Sequence, residues 1–250
     1  MVHFVGAGPG AEDLITVRGM RLIEAADVII YAGSLVNPGL LKYAKQGCGI
    51  YNSAEMTLDE VIDAVTRSRE KEIVRLHTGD PSLYGAIREQ MDRLAALGIE
   101  FDICPGVSSF FGAAAALRAE YTLPDVTQTV IITRAAGKTP VPERESIRSL
   151  AGHGATMIFF LSAGLAEDIS RELIAGGCRP DTPAAVVYKA TWPDERVMRG
   201  TVETLPKVME GVSKTALVAV GDFLGDDYAL SRLYAPDFET EYRKIKTGDC

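Results

Sequence analysis

Short β-branched or aromatic runs alternate with longer segments of helical spacing through the first half of the chain. The strand-like runs occupy residues 2–5, 28–31, 73–76 and 100–104. The segments with helical spacing occupy residues 11–26, 57–71 and 85–97. In the last of these, apolar side chains recur every three or four residues and Gly98 follows as a stop signal. This alternation predicts a mostly parallel sheet with helices packed on its faces.

The second half of the chain carries its own strand-like runs. A helix is expected to begin at Ser108 or Ser109, and residues 121–128 are typical of a connector. Further strands are expected at residues 129–134, 156–162, 184–190, 195–205 and 215–221. A length of 250 residues accommodates two modest domains. We therefore expect two α/β domains, residues 1–121 and 122–250, the second with a mixed sheet and a loosely held polar tail after Tyr234.

The glycine-rich stretch GAGPG follows the first strand-like run. Gly6, Gly8 and Ala11 satisfy the minimal pattern of a dinucleotide-binding turn. However, Pro9–Gly10 favours a sharp turn at the point where such a helix should begin to donate its N–H groups to a pyrophosphate.

The end of the second strand also disfavours a dinucleotide site. It ends in Tyr31 and Ala32, where a dinucleotide site places an acidic residue on the ribose, and Asp27 precedes the strand. Three readings of the glycines stay open: a dinucleotide phosphate, a ligand without phosphate, or a turn that only reverses the chain. The residues favour the dinucleotide least.

The stretch RLHTGDPSLYG, residues 75–85, places a polar loop after the third of these strands. Such a loop at the carboxyl end of a parallel strand is where open α/β sheets bind ligands. Asp80 precedes Pro81, which biases it away from helical geometry. The alternative is that Asp80 only caps the following helix, for whose first turn Pro81 is well suited.

Composition excludes several classes of function. The four cysteines, Cys48, Cys104, Cys178 and Cys250, are scattered and only three histidines accompany them, so no metal site is expected. A net charge of −8 argues against general affinity for nucleic acid. Neither a membrane-spanning apolar segment nor a secretory signal is visible, so we expect a cytoplasmic protein with no membrane partner.

Taken together and in this order, VGAGPGAEDLITVRG and GDPSLYG resemble the tetrapyrrole (corrin/porphyrin) methyltransferase family. The similarity continues through CPGVSSFFGAAAA, TMIFFLS and VVYKATWPDE and so covers nearly the whole chain. Within the family, YAGSLV, HTGDPSLYGAI and PDVTQTVIITRAAGKTPVPE are most similar to the branch that methylates carbon 11 of precorrin-4, giving precorrin-5 in cobalamin biosynthesis.

The resemblance implies S-adenosyl-L-methionine as methyl donor, S-adenosyl-L-homocysteine as product, a cleft between the two α/β domains and a homodimer. The expected fold is that of the tetrapyrrole methylases and not a Rossmann dinucleotide fold. The ligand of GAGPG would then be a nucleoside without phosphate. Matching the family's motifs position by position implies these donor-binding residues: Pro9, Thr78, Gly79, Asp80, Leu83, Ser108, Ser109, Leu161, Ala190 and Ala216.

Precorrins carry many rim carboxylates, which favour Arg or Lys partners. The candidate substrate contacts are Tyr84, Arg134, Lys138 and Lys189, although each charge taken singly is more typical of a solvated surface. His77 is more typical of a satisfied structural histidine than of an acid or base, and Trp192 could line a cleft or pack in the core. We name no catalytic base, since the ring carbon of a precorrin is already electron-rich.

Several alternatives stay open. The substrate could be cobalt-precorrin-4, or the reaction could fall on another precorrin position, on uroporphyrinogen III or on a diphthamide precursor. From a different class, the chain could be a nucleotide-responsive binding module of Rossmann type. Binding of NAD without binding of S-adenosyl-L-homocysteine would favour that module.

Overall fold

Five strands form the first sheet of the protein, for which a computed structural model describes residues 1–244. They are β1 (Val2–Gly6), β2 (Val28–Tyr31), β3 (Gly49–Asn52), β4 (Ile73–His77) and β5 (Phe101–Cys104), in the order β3-β2-β4-β1-β5. The four strand pairs are all parallel. The predicted parallel sheet is therefore confirmed. The sequence did not predict β3, whose half-exposed residues at the sheet edge form no buried apolar run.

The helices of this half are α1 (Val17–Ala25), α2 (Leu58–Arg67), α3 (Ile87–Ala96) and α4 (Ser109–Leu117). The predicted helix over 11–26 begins too early, because the hydroxyl of Thr16 caps α1 by accepting from the backbone N–H of Gly19. Thr57 caps α2 in a capping box with Glu60, whereas Ser53 begins a separate 3₁₀ turn.

The two faces of the first sheet bury separate apolar clusters, because successive strand residues point to opposite sides. Phe4, Ile30 and Ile73 lie on the face covered by apolar residues of α2 and α3. Val5 and Val74 lie on the other face, with Ile23 of α1. The central strands are therefore covered on both faces, and a ligand site is expected at the strand ends and in the loops that follow them.

The second sheet consists of β6 (Val130–Arg134), β7 (Thr156–Phe160), β8 (Pro183–Tyr188), β9 (Arg196–Thr201) and β10 (Ala216–Val220), in the order β6-β7-β10-β8-β9. β6 and β7 are parallel, whereas β7 and β10 are antiparallel, so the mixed sheet is confirmed. Three helices that the sequence did not predict are α5 (Ile147–Ala151), α6 (Ala166–Ala175) and α7 (Leu205–Val208). Both α6 and α7 begin without a side-chain cap, the usual start signal.

The chain divides into two compact units. The first contains Met1–Leu117 together with Val187–Val197 and Thr215–Leu217, and the second contains the remaining described residues. The boundary at residue 121 stays a prediction. Within residues 1–244, none of the helices combines the length and apolar character needed to cross a bilayer.

Part of the polar tail is held by one arginine. The guanidinium of Arg243 donates to the carbonyl oxygens of Leu233, Ala235 and Phe238. Residues 245–250, and with them the predicted free thiol of Cys250, lie outside the described residues. The other three cysteines are free.

Candidate functional site

Three loops meet at the carboxyl edge of the first sheet through their backbones. Gly8 and Gly79 exchange hydrogen bonds, N to O at 3.2 Å and 2.9 Å. A Cβ on Gly6 would lie 2.5 Å from the Cα of Gly106, and a Cβ on Gly106 would lie 2.2 Å from the oxygen of Gly79. Only glycine permits backbones to approach this closely, so the loops after β1, β4 and β5 form one glycine junction. We use this name for Gly6, Gly8, Gly79 and Gly106.

Asp80 ties the loop after β4 to the junction. Its Oδ2 accepts from the N–H of Gly106 at 2.8 Å, and its Oδ1 accepts from the N–H and the hydroxyl of Ser82. Burial opposes ionisation of Asp80, but the hydrogen bonds from Ser82 and Gly106 outweigh it and hold its pKa below the usual range. The capping alternative is wrong, because α3 begins only at Ile87, after a left-handed Ala86.

The other residues expected around this loop are close by. Thr78, which follows the last residue of β4, is half-buried. The backbone N–H of Leu83 donates to the backbone oxygen of Asp80 at 3.3 Å. A Cβ on Gly79 would lie 3.4 Å from the Cα of Ser108 and from the nitrogen of Ser109. The start of α4 therefore adjoins the glycine junction.

The turn at Pro9–Gly10 contacts residues distant in sequence. A Cβ on Gly112 of α4 would lie 3.0 Å from Cβ of Pro9 and 3.4 Å from Cβ of Ala190. A Cβ on Gly10 would lie 2.2 Å from the indole of Trp192. Two of the expected donor-binding residues, Pro9 and Ala190, are thus brought together around Gly112.

Two polar side chains fix the same turn. The amide nitrogen of Asn37 donates to the oxygen of Gly10 at 2.8 Å. The hydroxyl of Thr191 accepts from the N–H of Ala11 at 2.9 Å. The sequence did not single out Asn37, Gly112 or Thr191, because nothing in their local pattern links them to GAGPG.

Lys189 and Ala216 flank this region within the first unit. The N–H of Lys189 donates to the oxygen of Thr215 at 2.8 Å, next to the half-buried Ala216. The ammonium of Lys189 lies 2.6 Å from a carboxylate oxygen of Asp194, which raises the pKa of Lys189, and 5.5 Å from the ring centroid of Trp192. Its charge already has a carboxylate partner.

The second unit holds the other expected contacts at the carboxyl end of the parallel pair β6 and β7. Leu161 follows β7 with a left-handed backbone, and its surface is 67% exposed. The guanidinium of Arg134 donates to the carbonyl oxygens of Ala135, Thr139 and Pro140. Arg134 thus shapes the loop that carries the exposed Lys138, and within residues 1–244 neither cation has a carboxylate partner.

His77 differs from the expectation of a satisfied histidine. It is 4% exposed, and within the described residues its buried Nε2 has no hydrogen-bond partner. Arg75 is buried on the same face, where it donates to the side-chain oxygen of Gln90 and the backbone oxygen of Ile30. Burial lowers the pKa of Arg75 to about 10. Burial and the charge of Arg75 lower the pKa of His77 to about 3, so that its imidazole is neutral at physiological pH.

Left-handed backbone conformations concentrate in the loops just described. Outside glycine they occur at Tyr84, Ala86, Arg118, Asp125, Leu161, Lys189, Thr191 and Thr215. Thr191 is β-branched and has a φ of 68°, which is an unusual and strained combination. Strain of this kind persists where the surrounding structure enforces it, often around binding sites.

The comparisons with known proteins agree with this geometry. The family model described as Tetrapyrrole (Corrin/Porphyrin) Methylases matches residues 1–206. The chain belongs to this family. A relative named cobalt-precorrin-4 C(11)-methyltransferase, from Methanocaldococcus jannaschii, is 54% identical over 97% of this chain and 96% of that protein. A relative named precorrin-4 C(11)-methyltransferase, from Mycobacterium tuberculosis H37Rv, is 44% identical over 94% of this chain and 96% of that protein.

Solved structures extend the comparison to the fold. The X-ray structure of cobalt precorrin-4 methyltransferase, CbiF, has a TM-score of 0.88 at 47% identity and covers 90% of this chain and 96% of its own. Uroporphyrin-III C-methyltransferase from Thermus thermophilus, solved with S-adenosyl homocysteine, has a TM-score of 0.75 at 25% identity and covers 89% and 92%. The protein therefore has the tetrapyrrole methylase fold. Its first sheet also departs from the 3-2-1-4-5-6 strand order of a Rossmann sheet.

Proposed function

We propose that this tetrapyrrole methylase transfers a methyl group from S-adenosyl-L-methionine to carbon 11 of precorrin-4, or of its cobalt-containing form, in cobalamin biosynthesis. Relatives named for this reaction cover nearly the whole chain, which supports the choice of substrate. The glycine junction is the observation that carries the proposal, because it offers a ligand closely packed backbone groups. No acidic residue follows β2, so the turn lacks the ribose contact that is typical of a Rossmann dinucleotide site.

The donor supplies an electrophilic methyl group on a sulfonium ion. In the first unit, the proposed contacts are Pro9, Thr78, Gly79, Asp80, Leu83, Ser108, Ser109, Ala190 and Ala216, to which the second unit adds Leu161. Of these, Asp80 also holds its loop, since its oxygens accept hydrogen bonds from Ser82 and Gly106. The junction lets backbone groups approach the ligand without an intervening Cβ.

Methyl transfer to carbon is an in-line displacement, so the protein contributes chiefly by orientation. Holding the reacting atoms in line supplies roughly 7–11 kcal/mol in well-oriented systems. The turns fixed by Asp80, Asn37 and Thr191 provide that rigidity on the donor side. No catalytic base is assigned. His77, whose imidazole is neutral at physiological pH, carries no charge that would repel the sulfonium.

The substrate's carboxylates require cationic partners. Arg134 and Lys138 are the proposed partners, since within residues 1–244 neither has a carboxylate counterion. Lys189 would have to exchange Asp194 for a substrate carboxylate. Tyr84 is a proposed contact beside the donor loop. Homodimerisation, a cleft between the two domains and a cytoplasmic location remain proposals, and sedimentation analysis tests the first.

Calorimetric titration of the purified protein with S-adenosyl-L-homocysteine, with NAD as control, is the first test. We expect micromolar binding, about −8 kcal/mol, and no heat from NAD. NAD binding without binding of the homocysteine nucleoside would overturn the proposal. Methyl incorporation into precorrin-4, cobalt-precorrin-4 and uroporphyrinogen III then separates the substrates, and activity on uroporphyrinogen III alone would overturn the carbon-11 assignment.

A further inference from the structure

The segment from Lys189 to Glu195 is distant in sequence from GAGPG but packs directly on it. Trp192 occupies the space beside Gly10, and the oxygen of Ala190 would lie 2.9 Å from a Cβ on Gly10. A side-chain hydrogen bond joins this segment to the turn: the N–H of Ala11 donates to the hydroxyl of Thr191 at 2.9 Å. The segment is therefore placed to set the position of the turn.

Thr191 does this from a strained backbone. Its φ of 68° lies in the left-handed region, which strongly disfavours β-branched side chains. Glycine or asparagine would adopt this conformation with less strain. The backbone conformation therefore gives no reason for a threonine at this position. The carboxylate of Glu195, 2.6 Å from the nitrogen of Thr191, helps to enforce this conformation by accepting its N–H.

Both the hydroxyl and the methyl group of Thr191 lie close to other parts of the site. The hydroxyl accepts from Ala11, and the methyl group lies 3.1 Å from the position of a Cβ on Gly112 of α4. The same point on Gly112 lies 3.0 Å from Cβ of Pro9. Thr191 thus binds Ala11, directly after the Pro9–Gly10 turn, and lies near the same point of α4 that Pro9 approaches.

We propose that Thr191 is a positioning residue that holds the GAGPG turn in the conformation that binds the methyl donor. This inference rests on the proposed function, in which the turn contacts the donor. Because the turn would contact the nucleoside and not the transferred methyl group, loss of the hydroxyl weakens the ground state and the transition state alike. The KM for S-adenosyl-L-methionine then rises while kcat is preserved.

The variant Thr191→Val keeps the shape and the strained backbone but removes the acceptor for Ala11. We expect about a tenfold rise in the KM for S-adenosyl-L-methionine and in the Kd for S-adenosyl-L-homocysteine, with kcat within about twofold of the wild type. Thr191→Ser retains the hydroxyl and should restore most of the affinity. Thr191→Gly relieves the strain, so it should bind the donor as weakly as Thr191→Val without a lower Tm than that variant.

Thr66→Val is a matched control, because the hydroxyl of Thr66 donates to the oxygen of Ile62 within α2, in the first unit. It should leave the KM and the Kd unchanged. An unchanged Kd in Thr191→Val, or an equal loss in Thr191→Ser, would overturn the positioning role while donor binding by the wild type still stands. Failure of the wild type to bind the homocysteine nucleoside would instead overturn the proposed function and this inference with it.

Discussion

Each end of the first sheet buries one histidine, but the groups around the two imidazole rings differ in charge. At the amino edge, the ring nitrogens of His3 lie 2.7 Å from a carboxylate oxygen of Asp102 and 2.9 Å from one of Glu72. At the carboxyl edge, His77 has an unpartnered Nε2 among the described residues and the cation Arg75 nearby. At the amino edge, carboxylates contact the histidine alongside backbone hydrogen bonds such as that from the N–H of Val2 to the oxygen of Glu100, at 3.0 Å. The carboxyl edge is held mainly by backbone contacts between glycines.

The amino edge of the sheet contributes to stability, whereas the carboxyl edge carries the candidate binding site. At the amino edge, two half-exposed carboxylates partner the buried His3 and stabilise the sheet end. At the carboxyl edge, the buried Nε2 of His77 lacks a hydrogen-bond partner among the described residues, which costs stability. Buried unsatisfied groups and strained residues gather where a site is built.

The largest effect is expected for Gly106→Ala, which places a Cβ 2.2 Å from the oxygen of Gly79. Since both groups are backbone, the loops must separate, and we expect a loss of about 3 kcal/mol in unfolding free energy together with loss of donor binding. Urea unfolding and calorimetric titration measure the two effects. Gly164→Ala is the control, because a Cβ there meets nothing within 4 Å. Equal stability of the two variants would contradict the glycine junction.

A pH-dependent effect is expected from His77. Its pKa is about 3 in the folded protein and about 6.5 when unfolded, so between these values the unfolded chain binds a proton that the folded chain excludes. Stability therefore falls as the pH is lowered, by about 2 kcal/mol from this residue between pH 7 and pH 5. Urea unfolding at both pH values should show a smaller loss in His77→Gln than in the wild type. His153→Gln, at an exposed position in the second unit, should keep the wild-type loss; an unaltered loss in His77→Gln would refute the assignment.

The amino edge should respond in stability alone. His3→Ala removes the contacts with Asp102 and Glu72, and because both carboxylates are half-exposed we expect a cost of only about 1.5 kcal/mol. The Kd for S-adenosyl-L-homocysteine should not change. A double-mutant cycle with Asp102→Asn isolates the pairwise contribution. A raised Kd for S-adenosyl-L-homocysteine in His3→Ala would contradict the assignment of donor binding to the carboxyl edge alone.

The smallest effect is expected at Thr16, which caps α1 just after the site turn. Thr16→Ala should cost about 1 kcal/mol, as is usual for a lost N-cap. Thr57→Ala removes the cap of α2 and provides the matched comparison. Thermal unfolding and donor titration should show similar losses of stability and no loss of affinity in either variant. A selective loss of affinity in Thr16→Ala would extend the donor site to this helix start.

Most of the first sheet could be predicted because β1, β2 and β4 are buried and their sequences are rich in apolar residues. β2 was predicted to the residue, and β1, β4 and β5 to within one residue. β3 and α6 were missed for related reasons, since one is a half-exposed edge strand and the other begins without a capping side chain. Pattern-based prediction depends on these signals.

The family membership and the loops after β1, β4 and β5 follow from sequence alone, because their motifs are continuous along the chain. The contacts that join them do not. The role of Asp80 depends on Gly106, 26 residues away, and the hydrogen bond of Ala11 depends on Thr191, 180 residues away. Residue type predicts that a group can form a hydrogen bond, but only the folded chain decides which partner lies within about 3 Å of it.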